Sequence, residues 1–186
     1  MKKTKILVAI FVVIIIVIPV LIYATILGST KSNNIITFGK LKMELIETSI
    51  DKDGNEVRVS NNENEYISLN STVSRKVKVK NVGKHSMYIR LKLNMLLNNN
   101  YDETLNNSVS YDINDQDYIF SDGWYYYKKI LEPGEKTTNL ITKIDFSLEN
   151  LDEDIKKTIR LDIDAQAVQA ENQSEDVLMV KGWPEE

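Results

Sequence analysis

Cysteine is absent from this chain, and histidine occurs once. The first absence removes any disulfide framework and any thiolate ligand. With a single imidazole as well, a zinc site of imidazole and thiolate ligands cannot be assembled. A basic excess is also missing: the formal net charge is −4, which argues against a nucleic-acid binder, since such proteins carry a basic face. There is no His-Glu-x-x-His helix and no Gly-x-Ser-x-Gly elbow, so the common metallopeptidase and serine-nucleophile signatures are lacking. Long helical periodicity is absent beyond the first segment, and no internal repeat of fixed period appears. These absences together lead to the expectation of a non-enzymatic protein without a cofactor.

What is present is distributed unevenly. Residues 6–27 read ILVAIFVVIIIVIPVLIYATIL, 22 residues without a charge. As a helix they span about 33 Å at about 1.5 Å per residue, enough for a bilayer core. Lys2, Lys3 and Lys5 precede the run, and no acidic residue occurs before Glu44. Positive charge ahead of an apolar run keeps the N-terminus inside and sends the downstream chain outward. The segment is therefore expected to be a transmembrane anchor or an export signal. Its length favours a retained anchor. Ala24 and Gly28, small residues at its outer end, offer a cleavage region for a signal peptidase. Pro19 is compatible with a membrane helix. The expected organisation is signal or anchor over 1–28, polar link and first strand over 29–40, a β domain over 41–172, and a tail over 173–186. The polar remainder, roughly 158 residues, is long enough to bury a core of its own.

From Ile35 onward the hydrophobic period is two. Leu41, Met43 and Leu45 alternate with Lys40, Lys42 and Glu44; Val57 and Val59 alternate with Glu56 and Arg58. Asp53-Gly54 between these runs signals a hairpin. Val77 and Val79 alternate with Lys76, Lys78 and Lys80; Met87, Ile89, Leu91 and Leu93 alternate with Tyr88, Arg90, Lys92 and Asn94. Trp124 to Leu131 reads as an aromatic strand. Leu140, Thr142, Ile144, Phe146 and Leu148 form a further strand face, and Leu161, Ile163, Ala165 and Ala167 the last long one. Residues 97–122 break the pattern and read as a long Asn/Asp-rich loop, 149–157 as a short crossover, and 175–179 as a short helix. About eight strands with frequent turn chemistry predict an all-β, two-sheet antiparallel sandwich.

Candidate sites emerge within this frame. His85 lies in a polar turn and is expected at the surface. Asp51, Asp53, Asn55 and Glu56 have the wrong spacing for a calcium loop. The loop at 97–122 is richer in oxygen ligands for a hard cation, though Asn and Asp also serve turns. Trp124, Tyr125, Tyr126 and Tyr127 form a candidate partner surface for sugar or protein. Alternation sends Trp124 and Tyr126 to one face and Tyr125 and Tyr127 to the other, one pair inward and one exposed. Lys76, Lys78 and Lys80 make a cationic stripe, read as a solvated face or a guarded edge strand. Ile35, Ile36, Thr37 and Phe38 form a short β-prone segment behind the polar link, without an obvious partner of its own. Were the helix removed, this segment could donate a strand to a neighbouring molecule.

Several phrases, in order, resemble a known family: residues 36–45 (ITFGKLKMEL), 77–83 (VKVKNVG), 88–93 (YIRLKL), 122–128 (DGWYYYK), 131–135 (LEPGE) and 165–170 (AQAVQA). They are similar to the TasA/camelysin family of Gram-positive bacteria, secreted proteins processed by a SipW-type signal peptidase. The resemblance implies a jelly-roll-like sandwich, export, and a role as a biofilm-matrix fibre subunit or related surface protein. Its implied partners are the membrane, the signal peptidase, further copies and related matrix proteins. Some members carry a metallopeptidase label, but no position here supplies zinc ligands. The apolar helix departs from the family in being longer and in lacking an Ala-rich cleavage phrase. The expected function is that of an exported surface or matrix protein assembling by strand donation. The alternative is a membrane-anchored binding module using an exposed aromatic strand.

Overall fold

The computed structural model describes residues 34–38, 40–59, 71–146 and 159–184. The apolar segment 6–27, the cleavage region at Ala24 and Gly28, and the crossover at 149–157 lie outside these residues. Among the described residues no helix is long and apolar enough to cross a membrane. One compact unit runs from Asn34 to Glu186, so the first strand and the tail belong to the same body as the central strands.

Three strands open that unit: β1 (Asn34–Phe38), β2 (Leu41–Ile50) and β3 (Glu56–Arg58). They are followed by β4 (Ser71–Ser74), β5 (Lys76–Asn81) and β6 (Met87–Leu97). The strands β1 and β2 form an antiparallel hairpin in register from Asn34↔Leu45 to Phe38↔Leu41. On β2, the pairing with β5 covers Met43 to Thr48 and overlaps the stretches used by β1 and β3. Each residue has only two edges, so β1 and β3 share one edge of β2 and β5 takes the other. The alternation read from the sequence sets the faces here. Leu41, Met43, Leu45, Val77 and Val79 point into the core, while Lys42, Glu44, Lys76, Lys78 and Lys80 point out. Burying each large aliphatic side chain contributes about 1.5–3 kcal/mol.

The second sheet is built on β6, whose Met87, Ile89, Leu91, Leu93 and Met95 are all buried. Eleven consecutive pairs join it to β12 (Ile159–Gln169). Its other edge takes β7 (Asn100–Tyr101) and β10 (Trp124–Tyr127), and β10 carries β9 (Tyr118–Ser121). A third sheet joins β4, β11 (Lys143–Phe146) and β8 (Ser110–Tyr111). All the pairings are antiparallel, and one apolar cluster draws side chains from all three sheets. The result is a β-rich, sandwich-like fold with 53% of the described residues in strands and 7% helical, but three hydrogen-bonded sheets where two were expected.

The stretch 97–122 is not a single loop. Asn98 and Asn99 have φ of 52° and 64° and join Leu97 to its partner Asn100, a two-residue hairpin of the primed type. A short helix, α1 (Glu103–Ser108), follows; Asp102 caps it by accepting from the Leu105 amide at 2.8 Å, and Leu105 is buried. Asp122 and Gly123, with φ of 49° and 80°, make a second primed turn between β9 and β10.

Two other expectations change. The strand begun at Trp124 ends at Tyr127. The face expected from Leu140 through Thr142 to Ile144 is broken, because Leu140 and Ile141 are both buried and Thr142 is exposed. The physical reason is Asp112, whose Oδ1 accepts from the amides of both Thr142 and Lys143 at 2.8 Å. This pins an irregular approach to β11. Leu148 lies outside the described residues.

Candidate functional site

In β10 the expected alternation is present, but the expected exposed pair is not. Tyr127 packs inward against Tyr118, with ring centroids 5.2 Å apart, and Tyr125 lines the same side. Trp124 and Tyr126 face outward, yet Trp124 is only 4% exposed and Tyr126 is buried. The cover is the tail. After β12 the chain turns at Asn172 (φ 61°) and crosses the outer face of the β6 sheet. Val177 and Val180 pack with Tyr88, Trp124, Tyr126 and Val168.

Local bonds shape this strap. Asp176 caps a single 3-10 turn, Val177–Met179, by accepting from the Leu178 amide at 3.0 Å. The Gln173 side-chain amide clasps Lys181, donating to its carbonyl at 3.0 Å and accepting from its N–H at 3.1 Å. The Tyr88 hydroxyl donates to the Ser174 carbonyl at 2.9 Å.

Arg90 lies at the centre. Its guanidinium carbon is 4.2 Å from the Trp124 ring centroid and 4.8 Å from that of Trp183, a cation between two indoles. Nε and Nη2 donate to Gln166 Oε1 at 2.9 and 2.6 Å, and Nη1 donates to the Tyr126 hydroxyl at 3.2 Å. Trp183 meets Tyr126 edge-on at 5.5 Å. The rings singled out in the sequence therefore form an internal clamp, not a free platform.

The exposed aromatics sit elsewhere. Phe120, 59% exposed, meets Tyr125 at a tilt of 46° with centroids 4.8 Å apart, and Tyr101 is 56% exposed. Burial raises the Tyr111 phenol well above its ordinary value, and Tyr125 and Tyr101 add to the effect.

The segment Ile35–Phe38 is brought to β2, which corrects the reading that it has no partner of its own. Among the described residues β1 pairs with β2 alone, so its second edge takes no strand. A cleft of ≈ 500 Å³ is lined by Ile36, Lys92, Trp124 and the β12 residues Ile163 to Gln166.

In the Asn/Asp-rich stretch the carboxylates of Asp102, Asp112 and Asp117 are committed to hydrogen bonds. Asp112 holds Thr142 and Lys143. Burial alone would raise its carboxyl, but the bonds from the Thr142 hydroxyl and these amides prevail and lower it. Asp117 is lowered chiefly by Lys129, at 2.7 Å, and by the Thr138 hydroxyl, at 2.9 Å. Among the described residues no group of three or more His, Cys, Asp or Glu side chains could hold a metal ion. His85 stands exposed in its turn, where its carbonyl accepts from Asn81 Nδ2 at 2.8 Å.

Arg90, Trp183 and Phe120 were not singled out in the sequence. For the strap a signal existed: Val177, Val180 and Trp183 recur every third residue in a tail whose other large apolar residues are Leu178 and Met179. No family model, curated protein or solved structure matches the chain.

Proposed function

We propose that this chain is an exported, non-enzymatic surface or matrix protein with a jelly-roll-like domain, whose copies assemble by exchanging β1. The reading joins three supports: the N-terminal apolar segment, the family resemblance, and the placement of β1. The last carries the assembly step. A five-residue strand follows the polar link, makes all its pairs with one neighbour, and is joined to it through residues 39 and 40 alone. Opening that connection would let the same five pairs form with β2 of another copy. Because such a contact is head-to-tail, it yields a filament when it does not close.

The absence of cysteine makes a clean test available. Thr37 and Lys42 are register partners on the outer face. Antiparallel partners lie about 4.5–5.5 Å apart at Cα, within reach of a disulfide. T37C and K42C chains that begin at residue 29, free of the apolar helix, are mixed under assembling conditions, oxidised, and examined by gel and electron microscopy. Disulfides joining the two chains within fibres are expected, and the double variant, locked by its own bond, should assemble only after reduction. Fibres without links between chains would remove strand exchange. Cell fractionation with N-terminal sequencing tests export, and protein confined to the cytoplasm would overturn it.

The second reading, an anchored binding module for sugar or protein, gains one observation. The tilted Phe120–Tyr125 pair, with Tyr101 exposed, is where an aromatic ligand surface remains. Loss of ligand in Phe120→Ala, with assembly intact, would favour it.

A further inference from the structure

The cationic stripe admits two ordinary explanations, and the structure removes one of them. Lysines guard strand edges against unwanted pairing, but β5 is not an edge. One side of it is paired with β2 over six positions. Its other side exchanges backbone hydrogen bonds with residues 135–142, from Asn81 N–H to the Glu135 carbonyl through Arg75 N–H to the Thr142 carbonyl. The lysines therefore lie in the middle of a sheet face, where crowded like charges repel unless something is brought to them.

That face is lopsided. Lys42, Lys76, Lys78, Lys80 and Arg58 project from it together with Lys136, the bridge partner of Lys80. Its two carboxylates are already engaged, Glu44 by Arg58 and Glu56 by Lys76. Among the described residues Lys42, Lys80 and Lys136 form no ion pair, and Lys78 acts only from a distance on Glu56, which Lys76 already holds, on a chain whose net charge is −4. Alternate residues on a strand stand about 7 Å apart, so Lys76, Lys78 and Lys80 form a row of regularly spaced positive charges, with Lys136 beside Lys80 and Lys42 at the row's end, while Glu44, Ile46 and Thr48 stand opposite it on β2. The row runs into a polar cleft of ≈ 460 Å³ lined by Lys78, Asp112, Asn114, Thr138, Asn139 and Thr142, in which the Asp112 carboxylate is held by the Thr142 and Lys143 amides. The Thr138 and Thr142 hydroxyls there donate to Asp117 and Asp112 and keep lone pairs that can accept from the hydroxyls of a ligand.

We infer that the outer face of β2 and β5 binds a linear, flexible, hydroxyl-bearing polyanion, with Lys42, Lys78, Lys80 and Lys136 as its charge contacts and the adjoining cleft receiving its hydroxyls. Uronate-bearing polysaccharide and polyol-phosphate polymer share this chemistry. The inference does not rest on strand exchange, since the face is complete within one copy.

The experiment uses the full-length chain in mild detergent. Binding of polygalacturonate and of poly(glycerol phosphate) is measured across a salt series, with neutral dextran and duplex DNA alongside. Four engaged lysines predict a slope of log K against log salt of about −3. Lys78→Gln/Lys80→Gln should lose at least tenfold in affinity and about half the slope. Lys52→Gln, in the turn between β2 and β3, should change affinity less than twofold. Thermal melts followed by circular dichroism establish that each variant is folded. Binding of only one polymer identifies the source as glycan or phosphate chain and supports the inference. Binding of neither at low salt, unchanged affinity in the folded double variant, or equal affinity for duplex DNA would overturn it.

Discussion

Replacing Arg90 by Met is the sharpest probe of the clamp, because it keeps the aliphatic stem and removes the guanidinium. The two indole contacts, at 4.2 and 4.8 Å, are half-buried, so each contributes about 0.5–1 kcal/mol. The forked bond to Gln166 adds about 1.5 kcal/mol as a hydrogen bond from a charged group. The Met thioether against the two rings restores about 0.3–1.5 kcal/mol, so the net loss should be about 2 kcal/mol. For a domain of this size, that is a fall of roughly 4–8 °C in Tm. Trp183→Ala should cost a similar amount. The double variant should cost about 1 kcal/mol less than the sum, because the cation and the ring stabilise one another. Urea unfolding followed by circular dichroism measures all four corners of the cycle. Trp124 and Trp183 are the only tryptophans, so in Trp183→Ala the fluorescence reports Trp124 alone and should move to longer wavelength as the strap lifts. A coupling within 0.3 kcal/mol of zero, or Arg90→Met within 0.5 kcal/mol of the parent, would show that the stack is geometry without energetic consequence.

Asn81 is fully buried, donates to the His85 and Leu131 carbonyls at 2.8 and 2.9 Å, and accepts from the Gly83 amide at 2.9 Å. Asn81→Leu should therefore cost about 3 kcal/mol in urea unfolding, since three backbone groups lose their partner. Asp112 and Asp117 have carboxyls below the ordinary 3.8, so their stabilisation is present above that pH and is lost as pH falls through the lower folded-state values. Between pH 7 and pH 3, Asp112→Asn should lose less Tm than the parent, and an equal loss would contradict the assignment. Asn99→Gly should be neutral or stabilise by up to about 0.5 kcal/mol, and Asn99→Val should destabilise by more than 1 kcal/mol, because φ is 64° there. His85→Ala should leave Tm and assembly unchanged, because its side chain stands exposed.

The long strands were legible because their faces differ in polarity. The inward sets of β2, β5, β6 and β12 are those that the period-two reading assigns, with Ile163 only half-buried. The short elements between 97 and 122 were not legible, since strands of two to four residues carry too few alternations to stand out. The Asn-Asn turn at 98–99 was the overlooked cue. Leu140 and Ile141 misled in a different way. Both are buried because side-chain bonds from Asp112 hold an irregular backbone there, and hydrophobic period does not report such bonds. The aromatic strand shows the limit most clearly. Its alternation was readable, but its exposure depended on residues about fifty positions further along the chain.

The way the tail crosses the sheet has a mechanical consequence. β12 ends with Gln169 opposite Met87, and load entering there would open its eleven-pair ladder one pair at a time. The strap intervenes. A pull on residue 184 must first peel Trp183 from Arg90, then Val180 and Val177 from the aromatic bed, before any tension reaches Gln169. The 15 residues 170–184 extend to about 50 Å at roughly 3.4 Å each. The domain thus carries a sacrificial length of chain, which yields under stretch and can re-seat while the ladder behind it stays closed.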